Sequence, residues 1–190
     1  EPQRPATPGK GYFNLNPDDE QAMIAETVKD FATEILRPAA YEADKHATAP
    51  EDITARSAEL GITMINVPEA FDGAASDRGV VTNALVAEAM AYGDMGLALP
   101  LLAPSGVATT LTNFGSDGQQ RTYLPDFAGE NVPASAVVIA EPRPLFDAFD
   151  LRTKATRVPS GYRLNGVKSF VPAAGSAELF IVGASLDGRP

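Results

Sequence analysis

Charged and aromatic side chains are concentrated between positions 140 and 157, in the stretch AEPRPLFDAFDLRTKATR. A loop between two strands is ordinarily small and polar, whereas this one contains two prolines and the cations Arg143, Arg152, Lys154 and Arg157. These cations, with Lys168 further along, could bind the phosphates of a ligand. A solvated strand face or an ion pair between subunits is the more ordinary explanation for them.

Several familiar catalytic chemistries lack the residues that they need. The 190-residue chain has no cysteine and a single histidine, His46, which excludes a thiolate nucleophile, a disulfide framework and a histidine metal cluster. The sequence also lacks a Walker loop, a G-x-G-x-x-G pattern after a strand and a nucleophile elbow. We therefore expect no metal site, and His46 is most simply a solvated residue near a helix end.

The net charge of −10 is unevenly distributed along the chain. Residues 1–140 carry 20 acidic and 8 basic side chains, whereas residues 141–190 carry 5 acidic and 7 basic ones. An acidic body repels nucleic acid and anionic membranes, while the C-terminal part could still bind a phosphorylated ligand. The polar start, which has no secretory signal pattern and no initiator methionine, suggests a cytoplasmic protein whose first residues are missing.

A helical period dominates the first 130 residues or so. Asn16 is a candidate N-cap of the first helix, and Pro38 should weaken or kink its last turns. Ser116 and Gln119 form a capping box at the start of the last helix, which Gly129 ends. The predicted helices are 16–46, 50–61, 77–94, 95–115 and 117–129.

The fourth predicted helix, MGLALPLLAPSGVATTLTNFG, is apolar nearly all round. A membrane span is one interpretation, but Pro100, Pro104 and Gly106 interrupt the segment and threonines follow. A helix at the centre of a bundle fits the composition better, so we expect no membrane span.

Near Pro133 the apolar period changes from about 3.6 to 2. The sequence therefore predicts an α+β protein, with an N-terminal all-α helical bundle followed by an antiparallel β-domain that is incomplete in this chain. An incomplete β-domain would leave a sheet edge unpaired, and such an edge is an aggregation hazard. This suggests that the given sequence is the first part of a longer protein. The predicted strands are 134–140, 153–158, 162–166, 167–171 and 178–185. The chain is thereby divided into a flexible segment 1–14, a helical domain 15–131 and a β-domain 132–190.

Four stretches together resemble the acyl-CoA dehydrogenase family. They are VPEAFDG between the second and third helices, FGSDGQQRTYLP entering the fifth, AEP closing the first strand, and DLRTKATRVPSGYRLNGVKSFV. The resemblance runs in order from about residue 14 to residue 185. It implies a C-terminal helical domain beyond residue 190.

The resemblance also implies FAD as the cofactor. The loop of the family reads T-E-P-x-A-G-S-D; Glu141, Pro142 and Asp147 match it, but Ala140 replaces the threonine and Phe146 the serine. The W-I-T of the family's second flavin strand is Phe170, Val171 and Pro172 here. The two threonine hydroxyls of the family's flavin strands, at positions 140 and 172, are thus lost, each worth roughly 0.5 to 1.5 kcal/mol as a net hydrogen bond. The implied cofactor-binding residues are Ile139, Ala140, Phe146, Phe170, Val171 and Pro172, with backbone groups of Ile139, Ala140 and Val171 able to face the flavin edge.

Each of these assignments has a simpler alternative. Ala140, Phe146 and Phe170 could instead pack the interior of the β-domain. The family places the acyl chain beside the segment that matches the fourth helix, yet a helix buried for core reasons would look the same. The substrate-binding residues that the resemblance implies are Leu99, Pro100, Leu101, Ala103 and Phe146.

Family members remove the α-proton of an acyl thioester with a glutamate base while hydride passes from the β-carbon to flavin N5. The resemblance places that base beyond residue 190, so we name no catalytic residue in this chain. Glu141 precedes a proline at a turn, and its role in the family is structural.

The resemblance therefore implies an FAD-dependent acyl-CoA dehydrogenase seen as its N-terminal half, an oxidoreductase acting on CH–CH groups. Its implied partners are an acyl-CoA substrate, an electron acceptor such as a flavoprotein, and further copies of itself in a dimer or tetramer. The alternative is a non-catalytic subunit or binding module that keeps the fold and has lost flavin contacts.

Overall fold

The computed structural model describes residues 16–75 and 79–189, and in them helices precede strands, as the sequence predicts. The predicted flexible segment 1–14 lies outside the described residues. The α-helices are α1 (Asp19–Phe31), α2 (Arg37–His46), α3 (Glu51–Glu59), α4 (Gly79–Gly93), α5 (Met95–Phe114) and α6 (Asp117–Ala128). The strands are β1 (Ser135–Val138), β2 (Lys154–Val158), β3 (Gly161–Asn165), β4 (Leu179–Val182) and β5 (Ser185–Leu186).

The first predicted helix starts later than expected and changes its geometry midway. Asp18, not Asn16, is the N-cap, because its carboxylate accepts from the Gln21 N–H at 2.9 Å while the Gln21 side chain accepts from the Asp18 N–H at 3.2 Å. A π-helical turn, Ala32–Leu36, then joins α1 to α2. The distortion expected from Pro38 therefore lies in the turn before it, since proline offers no N–H to the preceding turn.

The π-helical turn packs closely against the last residue of α4. A Cβ on Gly93 would lie 2.6 Å from the Ala32 carbonyl oxygen and 2.9 Å from the Ala32 Cβ. Any side chain there would overlap backbone atoms. Gly93 is therefore required for the approach of α4 to this turn.

Two apolar clusters form the core, and α5 contributes to both. Leu97 and Ala98 belong to the first, which lies among α1, α4 and α5, and Val107 and Leu111 belong to the second, which includes Phe127 of α6. By length and composition α5 could also cross a membrane, but its packing in both clusters matches the predicted centre of a bundle. The second cluster also receives side chains from β1 and β4, which joins the strands to the helices.

The strands form two small sheets in the described part of the chain. The predicted antiparallel arrangement is present between β2 and β3, whereas β1 pairs with β4 and β2 pairs with β5 in parallel. Long connections allow β4 and β5 to return in the same direction as their partners. The predicted strand 167–171 is wrong, because this segment has no ladder partner and is held by single hydrogen bonds to the end of β1.

Candidate functional site

Glu141 fastens both ends of the loop that follows β1. Its side chain is buried, and the carboxylate accepts hydrogen bonds from the Arg152 N–H at 2.9 Å and the Thr153 N–H at 2.8 Å. The segment from Pro142 to Leu151 is thereby closed into a loop anchored at the start of β2. A buried carboxylate with two backbone donors is a structural anchor.

Lys168 connects this anchor to a second segment of chain. Its ammonium group donates to the Ile139 carbonyl at 2.9 Å and to the Glu141 carboxylate at 3.1 Å. The next residue, Ser169, donates its N–H to the Ala140 carbonyl at 3.0 Å. Lys168 and Ser169 therefore lie beside residues 139–141. The predicted cofactor-binding residues at 170–172 follow directly after this contact.

Gly166 allows this segment to approach the start of β2. A Cβ on Gly166 would lie 2.4 Å from the Thr153 Oγ1 and 2.6 Å from the Thr153 Cα. The chain can thus enter the segment that carries Lys168 only if position 166 has no side chain. The glycine of the predicted Asn165–Gly166 turn has this packing role.

The hydrogen bonds of Glu141 fix its charge. The Thr153 N–H is the largest cause that lowers the pKa of Glu141, from its ordinary 4.5 to about 2, with the Arg152 N–H and Lys168 acting in the same direction and burial opposing them. At neutral pH the carboxylate is ionised and its oxygens are occupied. It is therefore unsuited to the role of a catalytic base, in agreement with the structural role expected from the sequence.

Arg143 organises the interior of the loop. Its guanidinium group contacts the Asp150 carboxylate at 3.1 Å, donates to the carbonyls of Asp147 and Asp150, and lies 5.7 Å from the centre of the Phe146 ring. The Phe149 N–H donates to the Asp147 carboxylate at 2.9 Å. Arg143, one of the cations that could bind a phosphate, is thus paired within the loop.

The loop and its neighbour expose large apolar side chains. Leu145 is 97% exposed and Phe170 is 92% exposed, and both have a left-handed backbone, with φ of 52° and 54°. L-residues adopt this conformation at a cost, and such residues cluster at functional sites. Phe170 therefore does not pack the interior of the β-domain, whereas Phe146, Ala140, Val171 and Pro172 are half-buried.

The backbone acceptors of the predicted flavin edge are already in use. The Ile139 carbonyl accepts from Lys168 and the Ala140 carbonyl from Ser169, so a ligand would have to share them. The Ala140 side chain has no hydroxyl, and Pro172 has neither a hydroxyl nor an N–H. The surface formed by these residues can therefore make apolar contacts with a ligand through Phe170 and through Ile139, which is 40% exposed.

The four predicted acyl-chain residues of α5 lie on different faces of the helix. Leu99 and Ala103 are one turn apart on the same face, which Gly106 continues, and Leu99 is 55% exposed. Leu101 instead packs against the first apolar cluster, while Pro100 lies on a different face from Leu99. Of the four residues Leu99 is exposed and the other three are half-buried, so the face of Leu99, Ala103 and Gly106 is the more accessible one.

That face of α5 adjoins β1. A Cβ on Gly106 would come within 3.9 Å of Val137, two residues before Ile139. The face is thus close to the strand that leads to the Lys168 contact. Gly106 was missed by the sequence reasoning, although its i, i+3 spacing from Ala103 was a readable signal.

Lys168 was also misjudged from the sequence, where it was grouped with possible phosphate ligands. Among the other cations in that group, Arg152, Lys154 and Arg157 are exposed, and Arg157 donates to the Tyr162 hydroxyl at 3.0 Å. Arg152 and Lys154 remain the exposed cations at the start of β2. Nothing in the local pattern around Lys168 indicates that its partner is the buried Glu141, 27 residues earlier in the chain.

The helices α1 to α6 precede the strands, and the glutamate-anchored loop joins β1 to β2. Residues 18–131 match the N-terminal domain of acyl-CoA dehydrogenases. The chain belongs to the acyl-CoA dehydrogenase family.

Individual relatives support the same assignment. The chain is 31% identical over 169 residues to a cyclohex-1-ene-1-carbonyl-CoA dehydrogenase of Geobacter metallireducens, covering 89% of this chain and 44% of that protein. Its fold matches butyryl-CoA dehydrogenase from Megasphaera elsdenii with a TM-score of 0.76 at 30% identity, covering 88% of this chain and 44% of that one. It also matches the structure of an acyl-CoA dehydrogenase from Bacillus anthracis complexed with FAD. The TM-score is 0.75 at 29% identity, and the match covers 93% of this chain and 30% of that one. The chain spans less than half the length of these relatives.

Proposed function

We propose that this chain is the N-terminal part of an FAD-dependent acyl-CoA dehydrogenase that oxidises the Cα–Cβ bond of an acyl-CoA thioester. The observation that supports this most directly is the juxtaposition of residues 139–141 with Lys168 and Ser169, within a fold whose helical domain matches the family over residues 18–131. Ile139, Ala140 and residues 170–172 are the positions that match the flavin-side segments of the family.

The residues at this junction fit a planar aromatic cofactor through apolar contact. The exposed Phe170 ring and the half-exposed Ile139 side chain offer surface for stacking and packing. Hydrogen bonds would come from backbone groups of Ala140 and Val171, because the side chains at positions 140 and 172 cannot donate. Bound FAD would supply the hydride acceptor, and Phe146 on the anchored loop would contact the cofactor or the CoA chain.

The substrate would be a lipophilic acyl-CoA. Its acyl chain would lie along the Leu99, Ala103 and Gly106 face of α5, which is apolar, partly exposed and adjacent to β1. The exposed cations Arg152 and Lys154 are available for the phosphates of the CoA moiety. No acid of the described residues is assigned as the base, since the carboxylate nearest the junction, Glu141, is already bound by three partners.

The remaining assignments follow from the family. We propose an electron acceptor such as a flavoprotein, a dimer or tetramer of identical subunits, and a cytoplasmic location. The domain division at residues 131–132 belongs to the same proposal and is supported by the change from helices to strands between α6 and β1.

An absorption spectrum of the complete protein, purified as its gene encodes it, tests the cofactor. Flavin bands in the visible and near-ultraviolet, which bleach when an acyl-CoA is added anaerobically, are expected. Enoyl-CoA formation with an artificial electron acceptor then tests the reaction. A protein that stays colourless after incubation with FAD refutes the proposal.

A second candidate function is a non-catalytic relative that retains the fold. It is favoured by Ala140 and Pro172, which remove two donors that the family's pattern would supply. Isothermal titration with an acyl-CoA separates the two candidates. Acyl-CoA binding by a protein that takes up no flavin would favour the non-catalytic relative, whereas flavin binding with turnover would exclude it.

A further inference from the structure

Lys168 occupies an unusual position, since a mostly buried cation joins its own segment to two acceptors of residues 139–141. Its side chain is 10% exposed and reaches the Ile139 carbonyl at the end of β1 and the Glu141 carboxylate in the anchored loop. Burial of an ammonium group is unfavourable unless it is paired and hydrogen-bonded. Lys168 satisfies both conditions at the junction where we place the flavin.

The anchoring of Glu141 does not depend on Lys168. The carboxylate is held by two backbone N–H groups, and the Arg143 Nε lies 3.7 Å away as a further cation. Removing the ammonium group would therefore leave the loop closed. What would be lost is the side-chain link from the segment of Lys168 to the Ile139 carbonyl and the Glu141 carboxylate.

The consequence of losing that link is local. The junction would then be held by the single backbone hydrogen bond from Ser169 to Ala140, at 3.0 Å. Residues 170–172 follow directly, and Phe170 has a left-handed backbone and an exposed ring. A charge-assisted hydrogen bond is roughly twice as strong as a neutral one, so Lys168 is the stronger of the two ties.

We propose that Lys168 is a positioning residue for the flavin: it fixes the spacing between residues 139–141 and 169–172, so that both can contact the cofactor at once. This inference rests on the proposed function and adds a residue that acts through others. A ligand that contacts two segments binds more tightly when their spacing is fixed beforehand. Lys168 would therefore act on cofactor affinity more than on folding.

The test is FAD titration of the apo form of the complete protein carrying K168M, which keeps the length of the side chain and removes its charge. We expect FAD affinity to fall about tenfold or more, the scale of one lost hydrogen bond to a charged group. K168R, which retains donors for both acceptors, should restore affinity to within about threefold of wild type. The visible spectrum of bound flavin should also broaden in K168M as its surroundings become less uniform.

K45M is the matched control, because it breaks another lysine–glutamate pair by the same substitution. Lys45 lies 3.6 Å from Glu42 on the exposed surface of α2. K45M should bind FAD as wild type does. The thermal unfolding of each apo variant should be recorded with the titration, since a purely structural lysine would lower the melting temperature of K168M and leave FAD affinity unaltered.

The outcomes separate this inference from the function on which it rests. A wild-type protein that binds no FAD overturns both. Wild-type FAD binding with equal affinity in K168M, or K168R as weak as K168M, overturns the positioning role alone. If K168M does not fold, K168Q, which can serve only one of the two acceptors, takes its place under the same criteria.

Discussion

Replacing Phe146 by serine should have a moderate effect on stability and a separate effect on ligand binding. The ring is half-buried in the anchored loop and lies 5.7 Å from the Arg143 guanidinium group. Deleting a fully buried phenylalanine costs about 3 to 5 kcal/mol. Because part of this ring is already in water, lost packing should cost about 1 to 2 kcal/mol. Loss of the contact with Arg143 adds roughly 0.5 to 1 kcal/mol.

The expected decrease in the free energy of unfolding of Phe146→Ser is therefore about 2 kcal/mol. Phe149→Ser is the matched comparison, since it makes the same change in the same loop at a ring that is 83% exposed. A surface substitution of that kind should stay within about 0.5 kcal/mol. Phe146→Leu should lose mainly the contact with Arg143 and fall between the two.

Urea denaturation of the apo forms of the complete protein measures these differences without the stabilisation that a bound ligand would add. Titrations of the same variants with FAD and with an acyl-CoA then test the site. Because serine replaces apolar contact with a small polar group, we expect Phe146→Ser to change the affinity for at least one of these ligands.

Two results would refute this reasoning. If Phe149→Ser costs as much as Phe146→Ser, the difference in burial between the rings does not determine their contributions. If Phe146→Ser costs 3 to 5 kcal/mol with unaltered affinities, as expected for a core aromatic, Phe146 is a core residue and does not belong to the site.

Three further predictions concern the anchor, the helices and the proposed substrate face. The pKa of Glu141 is lowered from 4.5 to about 2, so the ionised carboxylate should stabilise the fold fully above pH 4.5 and lose this contribution as the pH falls towards 2. The difference in the free energy of unfolding between wild type and Glu141→Gln, measured by urea denaturation, should therefore shrink over that pH window. Gly93→Ala should destabilise the protein by about 1 to 3 kcal/mol, since the new methyl overlaps the backbone of Ala32. Gly106→Ala, whose methyl would meet Val137 at an ordinary contact distance of 3.9 Å, should instead stabilise it by up to about 1 kcal/mol, and melting temperatures equal to that of wild type would contradict both expectations. Ala103→Leu should raise KM for long-chain acyl-CoA more than for short-chain acyl-CoA, and an equal effect on both would remove this face from the substrate site.

The helical part was predictable wherever the signal was local. The capping box of Ser116 and Gln119 is present, with the Ser116 side chain accepting from the Gln119 N–H, and α6 ends before Gly129 as expected. The start of the first helix was wrong because Asn16 and Asp18 are both competent N-caps. The deciding residue was Gln21, three positions after Asp18, which completes a capping box that Asn16 does not have.

The β-region shows where local pattern fails. VKSFV alternates as a strand should, yet its lysine and serine bind the end of β1 singly and no ladder forms. Whether a strand pairs in parallel depends on where the chain returns to the sheet. The chain returns about 40 residues after β1, and β4 then pairs with β1 in parallel. The contact between Glu141 and Lys168 has the same origin, because residues 27 positions apart meet only through the fold.

The anchor also explains how the loop can depart so far from the family's pattern. Glu141 is held by backbone N–H groups, which any residues at positions 152 and 153 except proline would supply. The loop backbone therefore does not depend on the side chains at positions 140, 146 or 172. Substitutions there change the surface offered to a ligand while the chain path is kept. The affinity of the Lys168 variants for FAD therefore measures directly whether the junction serves the flavin.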